Sequence, residues 1–181
     1  MLSAEPAVGT YPEQTVEAMA RICQAAEKSM PITLDREFLD RVFTRIDQSI
    51  ALSALFAAYH LNVKAIVALT SSGSTALWMS RLDCGVPIFA LTQEAASLPK
   101  MSLFRQVTPL LIDPMPDNRT GMRREIERRL IEADVAAEGD LIVLTYGDRH
   151  GTPGGTNTLS IMRIGEGAQT AAPNMHIPPF H

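Results

Sequence analysis

The chain has 181 residues, 16 Lys and Arg against 20 Asp and Glu, and a net charge of -4. That length fits one domain with an appendage at either end, and the acidic balance without any basic block argues against nucleic acid or an anionic membrane surface as partner. No apolar run approaches the roughly twenty residues a bilayer requires and no signal-peptide pattern is present, so a cytoplasmic protein is expected.

In chain order, Met1 to Thr10 reads as a loop-like lead. Pro12 sits where a first helical turn tolerates it, and Val16, Met19, Ala20, Cys23 and Ala26 recur at helical spacing, predicting a helix over 12–28. Residues 29–45 are a connector or a short extra helix. Asp47 reads as the N-cap of the next helix, which carries Ile50, Ala51, Ala54, Leu55 and Ala58 on one face. Tyr59 and His60 near its end are packing or solvent-facing residues rather than ligands. Cys23 and Cys84 are isolated, so no metal site is expected and reduced core thiols are the default.

The stretch Ala65 to Arg81, AIVALTSSGSTALWMSR, is the most informative. Ala65 to Leu69 predicts a buried strand, Thr70, Ser71, Ser72, Gly73, Ser74 and Thr75 a hydroxyl-rich loop, and Ala76, Leu77, Met79 and Leu82 a helix that Gly85 is placed to end. In a strand-loop-helix unit, free backbone N–H groups converge on one point suited to a phosphate or carboxylate. Gly73 is expected to let the backbone approach such an anion, and the hydroxyls to donate to it. The alternative is that Ser72 or Ser74 merely caps the helix, the commoner use of such residues.

The pattern then repeats. Residues 87–91 (PIFAL) predict a second strand; Ser97 with Pro99 reads as the cap and first turn of a short helix ending near Phe104. Residues 109–112 (PLLI) predict a third strand, and 117–138 a long polar helix with Met122, Ile126, Leu130 and Ala133 as its apolar stripe. Residues 141–145 (LIVLT) predict a fourth strand and 156–164 a more exposed fifth, with Thr158 and Ser160 alternating against Leu159 and Ile161. Residues 165–181 read as a flexible tail. Strands alternating with helices predict an α/β fold, a parallel sheet covered on both faces, with ligands beyond the carboxyl ends of the strands where strand order reverses. The glycine-rich loop of Asp148, Arg149, His150, Gly151, Gly154 and Gly155 follows the fourth strand. If the first and fourth strands are neighbours, it forms a flap over the hydroxyl loop; a hairpin-like surface turn fits the same residues.

Three of these pieces together resemble pyruvate kinase. The lead MLSAEPAVGTYPEQTVEAMARIC resembles the junction that ends that family's catalytic barrel. LTSSGSTALWMSR followed by GVPIFALT, and GDLIVLTYGD…GGTNTLSIMRI with its triplet Thr156, Asn157 and Thr158, are similar to its carboxyl-terminal domain. The likeness is to the bacterial branch activated by nucleoside or sugar monophosphates. It implies a three-layer α/β/α domain over 29–164, with a five-stranded, mostly parallel sheet in order 3-2-1-4-5 whose last strand is antiparallel. Residues 1–28 are then the barrel junction and linking helix. It further implies that Thr70 to Thr75 bind the phosphate of an allosteric effector and that the glycine-rich loop closes over it. The phosphoryl-transfer residues lie in the barrel, so no catalytic residue and no bound cofactor are expected in this chain; Mg and K are implied for the whole enzyme. The implied partners are a sugar monophosphate or AMP, the catalytic barrel, and further copies in a homo-oligomer.

The chain departs from the family pattern at Pro6, Ser74 and Gln106. Ser74 stands where many relatives carry Lys or Arg after the loop glycine. A charge-assisted hydrogen bond contributes about 1.5–3 kcal/mol against about 0.5–1.5 for a neutral one, and each ~1.4 kcal/mol is tenfold in affinity. Arg149 and His150 in the flap, or Arg119, Arg123 and Arg124 on the long helix, are candidates to compensate, with Arg124, Arg128 and Arg129 also readable as a solvated face. Trp78 reads as core. Two other functions fit the residues: an oligomerisation module with a vestigial phosphate site, and a small enzyme using His150 or Asp148 as acid/base.

Overall fold

The computed structural model describes residues 4–29, 42–82, 84–116, 118–147 and 154–166. The chain divides into two compact units, Met1–Thr33 and Leu34–His181. In the first, α1 (Ala4–Val8) leads into α2 (Pro12–Ser29), and the backbone N–H of Tyr11 donates to Glu5 Oε1 at 2.8 Å. Pro12 opens α2 as its missing donor allows, and none of the α2 residues is buried.

The second unit carries α3 (Ile46–Leu61), β1 (Ala65–Leu69), α4 (Ser74–Ser80), β2 (Ile88–Thr92), α5 (Leu98–Met101), β3 (Val107–Leu111), α6 (Arg119–Glu132), β4 (Leu141–Tyr146) and β5 (Thr158–Arg163). The sheet order is β3-β2-β1-β4-β5, with β1 parallel to both β2 and β4, β2 parallel to β3, and β5 antiparallel to β4. Because side chains alternate along a strand, β1 sends Ile66 and Ala68 to one face and Ala65 and Val67 to the other, and all four are fully buried. The first face packs Ala54, Leu55 and Ala58 of α3, Ala76 and Met79 of α4, and Met101 of α5. The second packs Met122, Ile126 and Leu130 of α6. This is the three-layer α/β/α arrangement. β3 is an edge strand, which is why it tolerates Pro109 in its middle.

Several local expectations are corrected. Asp47 lies inside the first turn of α3 and Arg45 occupies the N-cap position, because the Asp47 carboxylate is turned inward to an ion pair. α4 ends at Ser80, well before Gly85, whose positive φ of 72° serves the turn into β2. α6 starts after Asn118, which caps it by accepting from Gly121 N at 2.6 Å. It stops at Glu132, where Asp134 turns left-handed (φ 55°); Ala133 is exposed, and Val135 and Ala136 are buried in its place. In β5, Ile161 is 44% exposed and Met162 2%, so the buried apolar position falls on the opposite face from the one the alternation suggested. Residues 30–41, most of the expected connector, and the tail 167–181 lie outside the described residues.

Candidate functional site

The chain runs outward from β1 through β2 to β3, then returns to place β4 on the other side of β1. Strand order therefore reverses between β1 and β4, and the crevice beyond their carboxyl ends is where such sheets hold ligands. Two loops meet there.

The first follows β1. Gly73 takes φ 78° and stands at the N-cap of α4; no side chain caps that helix, so the simple Ser72 or Ser74 cap does not occur. The Gly73 N–H donates to Thr70 Oγ1 at 3.0 Å. The carbonyl of Ser71 accepts from Ser97 Oγ at 2.7 Å and from Thr92 Oγ1 at 3.3 Å, so Ser97, expected as a cap, instead props the loop. A side chain on Gly73 would sit 2.6 Å from Met101 Cγ. The glycine thus serves a left-handed turn and close packing on α5, not only approach to a ligand. Four residues of the loop, Thr70, Ser71, Ser72 and Ser74, are half-buried, while Gly73 and Thr75 are buried. The backbone N–H groups of Ser72, Ser74, Thr75 and Ala76 have no hydrogen-bond partner among the described residues. They form the donor set left at a helix start.

The second loop joins β4 to β5. A Cβ on Gly147 would collide with the carbonyl of Gly155, so the two ends of the glycine-rich segment pinch together at its base. The Thr75 hydroxyl is 2.7 Å from that of Thr156, with both residues buried, tying the two loops to each other. At Gly154 (φ 73°) a Cβ would lie 2.7 Å from Arg45 Nη2 and 3.5 Å from Asp47 Oδ2. Arg45 donates from Nε to Asp47 Oδ1 at 2.9 Å and from Nη2 to Asp47 Oδ2 at 2.6 Å, a two-pronged pair that raises the guanidinium pKa. Asp47 also accepts from Gln48 N at 3.1 Å and is 1% exposed, against 52% for the Arg45 side chain.

Of the sequence-derived site residues, Thr70 to Thr75, Gly154 and Gly155 are brought to one end of the sheet. Asp148, Arg149, His150 and Gly151 lie outside the described residues. Arg119 and Arg123 are on α6, across the sheet from α4, and no described contact joins them to the hydroxyl loop. Trp78 is half-buried against the core, with the Arg81 guanidinium 4.6 Å from its ring centre. Tyr59 is 44% exposed and His60 stacks with Phe56. Sequence reasoning missed Arg45, Ser97 and Thr92. Asp47 gave a signal, an acid at a helix start, but its arginine partner did not. Among the described residues no three His, Cys, Asp or Glu side chains converge as a metal site.

The model of the pyruvate kinase alpha/beta domain matches residues 48–162, the stretch that contains both loops, the first four strands and all of β5 but its last residue. The chain belongs to the pyruvate kinase family. Pyruvate kinase II of Salmonella typhimurium is 41% identical over 165 residues, 91% of this chain and 34% of that protein. The pyruvate kinase of Haemophilus influenzae is 41% identical over 153 residues (84% and 32%), and that of Thermotoga maritima 31% over 166 (91% and 34%). The chain therefore spans about a third of the length of the curated relatives it matches.

Proposed function

We propose that this chain is the regulatory part of a pyruvate kinase that, as a whole enzyme, transfers a phosphoryl group from phosphoenolpyruvate to ADP. Its role is to bind a phosphorylated effector, a sugar monophosphate or AMP, as in the monophosphate-activated branch. The observation that carries the reading is the set of unpartnered N–H groups at Ser72, Ser74, Thr75 and Ala76, beside the half-buried Ser72 and Ser74 hydroxyls, at the strand-order reversal. Ser97 and Thr92 hold Ser71 in place and Met101 backs Gly73, so the loop is braced by contacts of its own. A braced donor set loses little freedom when an anion docks. The Thr75 hydroxyl, committed to Thr156, acts as a strut between the loops rather than as a phosphate donor. Effector contact with the glycine-rich segment then biases subunit arrangement and phosphoenolpyruvate affinity in the whole enzyme. The chain by itself has no turnover on this reading, since the chemistry, with its Mg and K, belongs to the barrel.

Calorimetric titration of the chain with ribose 5-phosphate, glucose 6-phosphate, AMP and inorganic phosphate tests this. Saturable binding of at least one is expected; no binding of any at millimolar concentration refutes it. A second reading, a subunit-contact module with a vestigial phosphate site, draws on the exposed Phe56, Tyr59 and Leu61 along α3. Light scattering that finds a stable oligomer indifferent to all four compounds favours that alternative.

A further inference from the structure

The short piece of chain from Gly154 to Thr156 is held from two sides. On one side Arg45 and Asp47 press on Gly154, where a Cβ would lie 2.7 Å from Arg45 Nη2 and 3.5 Å from Asp47 Oδ2. That surface is firm. The Asp47 carboxylate is 1% exposed and accepts two hydrogen bonds from the guanidinium and one from Gln48 N. Without the guanidinium, its buried charge would be uncompensated. On the other side the Thr156 hydroxyl lies 2.7 Å from that of Thr75, in the first turn of α4 and 81 positions away along the chain, with both residues buried. The two holds are separated by at most about 7 Å of chain, too little to absorb a displacement at one end without passing it to the other.

We propose that Gly154 to Thr156 is a strap through which the start of α3 controls local opening of the hydroxyl loop, with Arg45 as its positioning residue. No ligand enters this inference, so it stands or falls apart from the effector reading above. The Arg45–Asp47 clasp fixes Gly154, Gly154 fixes Thr156, and Thr156 holds Thr75. Gly73 and Leu77, two residues to either side of Thr75, carry hydrogen bonds that close the loop onto α4. Gly73 N donates to Thr70 Oγ1 at 3.0 Å and Leu77 N to the Gly73 carbonyl at 2.9 Å. Releasing the clasp lets Thr156 draw away from Thr75. A buried hydroxyl deprived of its partner favours states in which it reaches water, and here those are the states that expose the Gly73 and Leu77 amides. Among the described residues no hydrogen bond or ion pair joins Arg45 to residues 70–76, so its influence on them passes through the strap.

The test is amide hydrogen exchange of the full chain, followed residue by residue by NMR. The clasp is removed as a pair, Arg45→Met with Asp47→Asn, so that no lone charge is left buried. Exchange at Gly73 and Leu77 is expected to quicken roughly tenfold. Val135, whose N–H donates to the Leu130 carbonyl at 2.9 Å on the other face of the sheet, is expected to keep its wild-type rate. Thr156→Val is expected to quicken the same two amides, and adding the clasp variant to it to change nothing more, because both cut one strap. Wild-type exchange at Gly73 and Leu77 in the clasp variant overturns the proposal. So does a rise matched at Val135, which marks a general loss of stability, and so does a combined effect equal to the product of the separate ones. Should the clasp variant fail to fold, Arg45→Lys, which keeps a cation beside Asp47 without the two-pronged contact, decides: faster exchange confined to Gly73 and Leu77 is expected, and unchanged exchange there overturns the strap.

Discussion

Gly73 combines two demands that no other residue meets: a φ of 78° and a backbone pressed onto Met101. The left-handed conformation costs a side chain roughly 1–2 kcal/mol and overpacking typically about 1–3, so Gly73→Ala is expected to destabilise the chain by about 2–5 kcal/mol in urea unfolding. A substitution that moves the midpoint by less than half of this would mean Met101 yields freely. The Thr75–Thr156 hydroxyl pair makes a different prediction, because removing one partner strands the other in a buried site. Thr75→Val alone is expected to cost about 1–3 kcal/mol, and the double change Thr75→Val with Thr156→Val to recover most of it, read as a double-mutant cycle by thermal unfolding. The hydroxyl loop was legible in the sequence because its residues are consecutive. Its bracing was not: Ser97 lies 26 residues from Ser71 and Thr156 lies 81 from Thr75, and no local pattern marks such pairs.

At the level of elements, strand positions were read nearly to the residue where both faces are buried, as in β1 and β4, because an apolar run between turn-formers has few other uses. Errors collected at helix ends. Asn118, the cap of α6, fell inside the helix expected over 117–138, and the stop of α6 depended on Asp134 taking a left-handed turn that its residue type permits but does not announce. α6 also carries a surface charge network in which Arg128 pairs with Glu125 and Glu132, and Arg129 with Glu125 and Asp113. The hydrogen bond from Arg128 is the main cause of a Glu125 pKa below its ordinary value. A carboxylate whose pKa is lowered on folding adds stability above its unfolded pKa and loses it as pH falls through the folded value. The stability difference between wild type and Arg128→Ala is therefore expected to be present at neutral pH, to vanish on acidification, and to shrink in high salt. Chemical denaturation over a pH series checks it; a difference independent of pH would assign the effect of Arg128 to packing.

For the molecule as a whole, both core clusters are built from Ala51 onward and draw on no residue of the Met1–Thr33 unit. A chain starting at Leu34 is accordingly expected to keep a cooperative thermal transition within a few degrees, roughly, of the full chain; loss of that transition would show that the first unit is needed for the fold. The sequence by itself determined the layer class, the strand order through its likeness to pyruvate kinase, and the hydroxyl loop, because periodicity and consecutive motifs are local and survive in one dimension. Only the tertiary structure decided what surrounds that loop. It committed Thr75 to Thr156, turned Ser97 from cap to prop, set Arg119 and Arg123 across the sheet, and brought Arg45 to Gly154. The reason is physical: a buried hydroxyl or carboxylate must find its partner wherever folding places one, and that partner is chosen by distance in space, not along the chain.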